Sequence, residues 1–185
     1  MIAKSGPLAI DKRVALWFKA HRTPTQVHWA NMISTLTRPV IVLVVMVLLL
    51  LYLNYRTRSW YVRDLIPLAL VFSSAILAAL AKSYFHRLRP SVGLSTQLDL
   101  EPSFPSSHTV FIAAAGSSLF FYVVRRHFLA LVGIGLATCF MGLVRLTVGV
   151  HWFTDVIGSV LLSFGMLILF YVLDGWLAEK EGISP

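Results

Sequence analysis

The sequence is short of acid, of cysteine and of long polar stretches. Only eight of its 185 residues are Asp or Glu, against 16 Lys and Arg, so it lacks the carboxylate-rich set a magnesium site needs. The single cysteine, Cys139, cannot close an internal disulfide, and its setting in A-T-C-F-M-G reads as core packing. No repeat, low-complexity tract or linker interrupts the chain, which leaves no natural place for a domain boundary. The first thirty residues hold no uninterrupted apolar run of the signal-peptide kind, so no cleaved leader is expected.

Hydrocarbon is what the chain has in excess: 57% of it is hydrophobic and its mean hydropathy is +0.77. A soluble domain of this length could not bury that much apolar surface, so the bilayer is the natural solvent. The formal charge of +8 would suggest nucleic acid in a soluble protein. Here the basic residues flank apolar runs, which points to anionic lipid head groups and away from nucleic acid.

Residues 8–22 place Ile10, Val14, Trp17, Phe18 and His21 on one helical face, with Lys12, Arg13, Lys19 and Arg22 mostly on the other. That pattern suits an amphipathic helix lying in the head-group layer, its basic side chains towards lipid phosphates. Thr23, Pro24 and Gln26 then spell a helix start with a capping box. Apolar segments follow at 24–53 (kinked at Pro39), 65–81, 109–124, 128–143 and 152–173. A span needs about 17 to 25 residues, so the expected fold is all-α: five transmembrane helices plus the interfacial one, in a single domain over 1–185. Small residues favour close helix packing: Ala113 to Gly116, then Gly133, Gly135 and Gly142, then Gly158, Ser159 and Ser163.

Three polar islands interrupt this pattern, and with five spans all three emerge on the same membrane face. The first, A-K-S-Y-F-H-R-L-R-P, sets Lys82 and Arg89 seven residues apart, two turns on one helical face, before Pro90 ends the helix. Two parallel cations make a clamp for a dianion, or else an ordinary basic flank. His86 and Arg87 fall off that face and read as interfacial side chains. The second island, E-P-S-F-P-S-S-H-T, puts Ser106, Ser107 and His108 at a helix start. Free N–H groups and two hydroxyls there can cradle a phosphate, and His108 can donate a proton to a leaving oxygen; alternatively Ser106 is only a cap. The third, V-R-L-T-V-G-V-H-W-F-T-D, places Asp155 one turn beyond His151. The carboxylate is then close enough to bind one ring nitrogen and leave the other a directed lone pair. Arg145, across the Gly149 turn, offers a planar fork of donors. The same stretch could be a surface loop with a capping Asp. Together the islands fit phosphoryl transfer, where charge stabilisation and positioning do most of the work.

Lys-x6-Arg-Pro, Pro-Ser-x-His and Arg-x5-His-x3-Asp, in this order from Lys82 to Asp155, resemble the signature of the type-2 phosphatidic acid phosphatases. These are integral membrane lipid phosphatases related to vanadium haloperoxidases. The resemblance implies that His151 is the nucleophile forming a phosphohistidine, oriented by Asp155, and that His108 protonates the leaving group and then activates water. Lys82, Arg89 and Arg145, with Ser106 and Ser107, would hold the phosphoryl oxygens, with no metal and no cofactor. Two positions depart from the family pattern: Ser107 stands where Gly is usual, and Val144 where Ser is usual. Many members have six spans, and the basic N-terminal helix stands in place of one. The implied partners are a lipid phosphate or diphosphate and the bilayer. Short bacterial-looking chains of this kind resemble undecaprenyl-diphosphate and phosphatidylglycerophosphate phosphatases, and the polyprenyl diphosphate is the first expectation. A lipid phosphotransferase and a non-catalytic membrane scaffold remain alternatives, and oligomeric state is open. Arg56, Arg58, Arg63, Arg125 and Arg126 lie in the connections facing away from the islands, so the positive-inside rule puts the active site on the outer face of the plasma membrane.

Overall fold

Proline divides the first long apolar stretch. In the computed structural model, which describes residues 6–57, 62–90, 101–123 and 128–182, two helices stand where one kinked helix was expected. They are α2 (Pro24–Leu36) and α3 (Pro39–Thr57). Pro39 has no N–H to give and disfavours helical backbone at Arg38. Thr37 closes the end of α2, its N–H and Oγ1 both donating to the Ile33 carbonyl, at 2.9 and 2.7 Å. The start of α2 follows the sequence: Gln26 N donates to Thr23 Oγ1 at 3.2 Å and Thr23 N to Gln26 Oε1 at 2.8 Å.

Before α2 lies α1 (Ala9–His21); after α3 come α4 (Ile66–Phe85), α5 (Ser107–Val123), α6 (Phe128–Val148) and α7 (Phe153–Lys180). Among the described residues the protein is an all-helical membrane bundle. Four helices, α3, α4, α6 and α7, are long and apolar enough to cross a bilayer, and α5 is a shorter apolar helix of 17 residues. The short helix sits at the centre, packed against α3, α4, α6 and α7. One apolar cluster joins Ile66 and Leu70 of α4 to Phe120 and Phe121 of α5 and to Leu167 and Phe170 of α7. A second joins Ala30 of α2 to Met141, Val144 and Val148 of α6 and to Val150. Val144, where the family usually has Ser, is therefore packed against α2. Leu48, Leu80, Leu136, Leu161 and Leu169 point outward, as a hydrocarbon solvent allows. Cys139 is exposed on α6 and belongs to this outer face rather than to the core. Small residues bring α6 and α7 together at Gly142, where a Cβ would run into Val156. Gly133 and Gly135 face open space and serve no such contact.

The first helix is not wholly a surface element. Leu16 and Trp17 are exposed, as an interfacial helix requires, but Asp11 is completely buried. Arg22, expected to face lipid phosphate, instead donates through Nη1 to the carbonyls of Thr147 and Val148, each at 2.9 Å, and so closes the C-terminus of α6. Of the arginines used for sidedness, Arg58, Arg125 and Arg126 lie outside the described residues, as does the side chain of Arg63.

Candidate active site

The end of α6 is turned by Gly149, whose φ of 84° suits a residue without Cβ. Its N–H and that of Val150 both return to the Arg145 carbonyl, at 3.2 and 3.4 Å. The turn leaves Arg145 buried on the last turn of α6 and His151 buried just before α7. Arg145 Nε has no hydrogen-bond partner among the described residues, an unusual state for a buried guanidinium and one that suits an incoming anion.

His151 is oriented by a carbonyl rather than by the expected carboxylate. Its Nδ1 lies 2.8 Å from the Ser103 carbonyl oxygen and 3.6 Å from Asp155 Oδ2, which is too long for a hydrogen bond. Asp155 is occupied elsewhere. Its Oδ2 accepts from Trp152 N at 2.8 Å, capping α7, and its Oδ1 accepts from Arg87 Nη1 at 2.5 Å. Because a carbonyl only accepts, Nδ1 of His151 carries the proton and Nε2 keeps the lone pair. Burial, aided by the charges of Arg145 and Arg89 and opposed by Asp155, pushes the His151 pKa down to about 3. The ring is neutral at physiological pH.

In the first island, α4 stops at Phe85, where His86 takes a left-handed conformation with φ 44° and its N–H caps the Lys82 carbonyl. Lys82 and Arg89 therefore do not share one helical face, as expected from their spacing: Lys82 is on the last turn and Arg89 on the extended segment beyond it. That segment is held down by Trp152 Nε1 and Ser103 Oγ, both donating to the Leu88 carbonyl, at 2.7 and 3.2 Å. Lys82 Nζ donates to the Pro102 carbonyl at 2.7 Å, and Arg89 to the carbonyls of Glu101 and Val150 at 2.9 and 3.2 Å. Arg87, read from sequence as interfacial, is 4% exposed and lies between two carboxylates, Asp155 and Asp11.

In the second island Ser106 is fully buried and its N–H is not free: it donates to Ser159 Oγ at 2.8 Å, while its own Oγ accepts from Thr109 Oγ1 at 3.0 Å. Any anion cradle at this helix start falls to the N–H groups of Ser107 and His108, which have no intrahelical acceptor. Ser106 instead locks the start of α5 to α7. His108 Nε2 sits 3.0 Å from the Ser34 carbonyl of α2, so the break before Pro39 lets α2 reach this histidine.

The three islands meet. Arg89 on the Val150 carbonyl ties the first island to the third, Lys82 on the Pro102 carbonyl ties the first to the second, and His151 on the Ser103 carbonyl with Ser106 on Ser159 ties the second to the third, so all of them gather at one end of the bundle. Asp11, Arg87, Ser103 and Ser34 are the neighbours that the sequence did not single out. Asp11, a lone acid before Lys12 and Arg13 in a basic helix, was the one visible hint.

The profile of the PAP2 superfamily matches residues 63–178, more than half of the chain and inclusive of all three islands. A crystal structure of a transmembrane PAP2-type phosphatidylglycerolphosphate phosphatase from Bacillus subtilis is similar with a TM-score of 0.72 at 22% identity, over 94% of this chain and 86% of that one. Aquifex aeolicus LpxE is similar with a TM-score of 0.69 at 17% identity, over 92% of this chain and 99% of its own. At such identities the likeness is one of fold. No curated protein matches the sequence. Profile, fold and the meeting of the three islands agree that the chain belongs to the PAP2 superfamily.

Proposed function

We propose that this protein is an integral membrane lipid phosphatase, one domain with five spans (α5 the fifth), working through a phosphohistidine at His151. The observation that carries this reading is the neutral, buried imidazole of His151, its Nδ1–H given to Ser103, beside Arg89 and Arg145. Nε2 attacks phosphorus and the bond from phosphorus to the lipid-side oxygen breaks. His108, which takes up a proton once the phosphate anion is bound beside it, passes that proton to the leaving oxygen. Lys82, Arg89, Arg145 and the Ser107–His108 N–H groups neutralise charge on the three phosphoryl oxygens. In the second half His108 takes a proton from water, whose oxygen attacks phosphorus; the P–N bond breaks and inorganic phosphate leaves. Asp155, its other oxygen held by Arg87, lies beside the imidazole. These steps use neither metal nor cofactor.

The substrate is a phosphate or diphosphate on a long hydrocarbon tail, with a polyprenyl diphosphate as the first reading. The likeness to a phosphatidylglycerolphosphate phosphatase favours a second, a glycerophospholipid phosphate. Purified protein in detergent and chelator, offered both classes, is expected to release phosphate from at least one. His151→Ala is expected to lose essentially all of that release and to trap no phosphoenzyme. Full turnover by His151→Ala would end the mechanism, and transfer to an added alcohol exceeding release to water would make the protein a phosphotransferase.

A further inference from the structure

Arg87 sits between α1 and the start of α7. Its Nη1 donates to Asp155 Oδ1 at 2.5 Å and to Thr154 Oγ1 at 2.8 Å, and its Nη2 donates to Asp11 Oδ2 at 2.5 Å. Asp11 is itself saturated. Its Oδ1 accepts from Thr154 N at 2.8 Å and its Oδ2 from Leu8 N at 2.9 Å. Both carboxylates are completely buried. The backbone of the same arginine is also used: its carbonyl accepts from Ser103 N at 2.7 Å, and Ser103 in turn holds His151 Nδ1. One residue thus connects α1 to both neighbours of the imidazole, Asp155 and the Ser103 carbonyl.

The charge balance gives this connection a chemical meaning. With one guanidinium between two carboxylates, the cluster carries one net negative charge. Burial opposes ionisation of Asp11, but hydrogen bonds from Thr154, Leu8 and Arg87 outweigh it and hold its pKa below the usual carboxylate value. If Asp11 were uncharged, Arg87 would neutralise Asp155 completely. His151 would then face Arg89 and Arg145 with no counter-charge when its ring turns cationic on bonding to phosphorus. Asp11 lies outside residues 63–178, the part matched by the superfamily profile.

Building on the phosphohistidine reading, we infer that Asp11 of α1 is a positioning residue for the catalytic histidine, acting through Arg87 to keep a net negative charge beside the ring. The helix that lies against the lipid surface is thereby part of the catalytic apparatus. A purely mechanical anchor would need the contacts of Asp11 but not its charge.

The test uses full-length enzyme in detergent micelles and the lipid phosphate turned over fastest among phosphatidic acid, phosphatidylglycerophosphate and farnesyl diphosphate. Asp11→Asn is expected to lower kcat and the rate of phosphoenzyme formation together, by about tenfold to a hundredfold, with KM changed by less than about twofold. Asp11→Asn/Arg87→Gln restores the single net negative charge and is expected to regain part of the lost kcat. Melting and gel filtration check that each variant is folded. Wild-type kcat in Asp11→Asn overturns the proposal, as does a folded double variant slower than the single one, which marks a mechanical role. His151→Ala is the control that separates the two readings: turnover by that variant means that the phosphohistidine reading has failed, whatever Asp11→Asn does.

Discussion

His151 shows why a motif names a residue more readily than its partner. The i, i+4 spacing to Asp155 was legible, and the two side chains do come within ion-pair distance at 3.6 Å. The hydrogen bond itself goes to the Ser103 carbonyl, 48 positions away, which no spacing rule could reveal. Arg87 was misread for the same reason: near a span end the default for a long cation is to snorkel, and its partners are 76 and 68 positions distant. The orientation of the ring is directly testable. In enzyme carrying 15N-labelled histidine, one of the six histidines is expected to show a neutral ring with the proton on Nδ1, unchanged from pH 8 to pH 5 and missing in His151→Ala. The sign is fixed by the pKa: with a folded value of about 3 against 6.5, the fold expels a proton. The stability this ring contributes is complete above pH 6.5 and declines as pH falls towards 3. A signal titrating near 6.5 would mean that the imidazole is solvated rather than buried.

The helices were legible as a set because hydrocarbon runs and caps are local features. The ends of α2, α4 and α6 were less so: Pro39 breaks the helix where only a kink was expected, His86 turns left-handed and stops α4 early, and Arg22, 125 and 126 positions away, closes the α6 carbonyls. Spacing between α6 and α7 matters most for the site, since α6 carries Arg145 and α7 carries Asp155. Gly142 sets that spacing through its approach to Val156. Gly142→Ala must push the helices apart or displace Val156, and overpacking of this kind costs about 1 to 3 kcal/mol. The variant should melt earlier in detergent and lose kcat. Gly133→Ala, on the same helix but with nothing near its Cβ, should melt at or slightly above the wild-type temperature. Equal losses from both substitutions would show that helix propensity, rather than the α6–α7 contact, governs this part of the bundle.

Which leaflet supplies the substrate depends on how the whole bundle lies in the bilayer. The end remote from the site carries Arg56 on the last turn of α3 and Lys180 on the last turn of α7, and the sequence adds Arg58, Arg63, Arg125 and Arg126 to its short connections. At the site end Lys82, Arg87, Arg89 and Arg145 are the cations that the proposed anion site and its support would use. Lys12, Arg13 and Lys19 sit on a helix that Asp11 and Arg22 fasten to the bundle. The positive-inside bias acts on short loops retained during insertion, so the remote end is expected in the cytoplasm and the site outside. Two cysteine variants in a Cys139→Ser background decide it: Leu88→Cys, exposed beside the site, and Lys180→Cys, exposed at the far end. A membrane-impermeant maleimide added to intact cells should label the first at once and the second only after permeabilisation. The reverse pattern would turn the site to the cytoplasm, where the exposed cations of α1 would face the anionic inner leaflet.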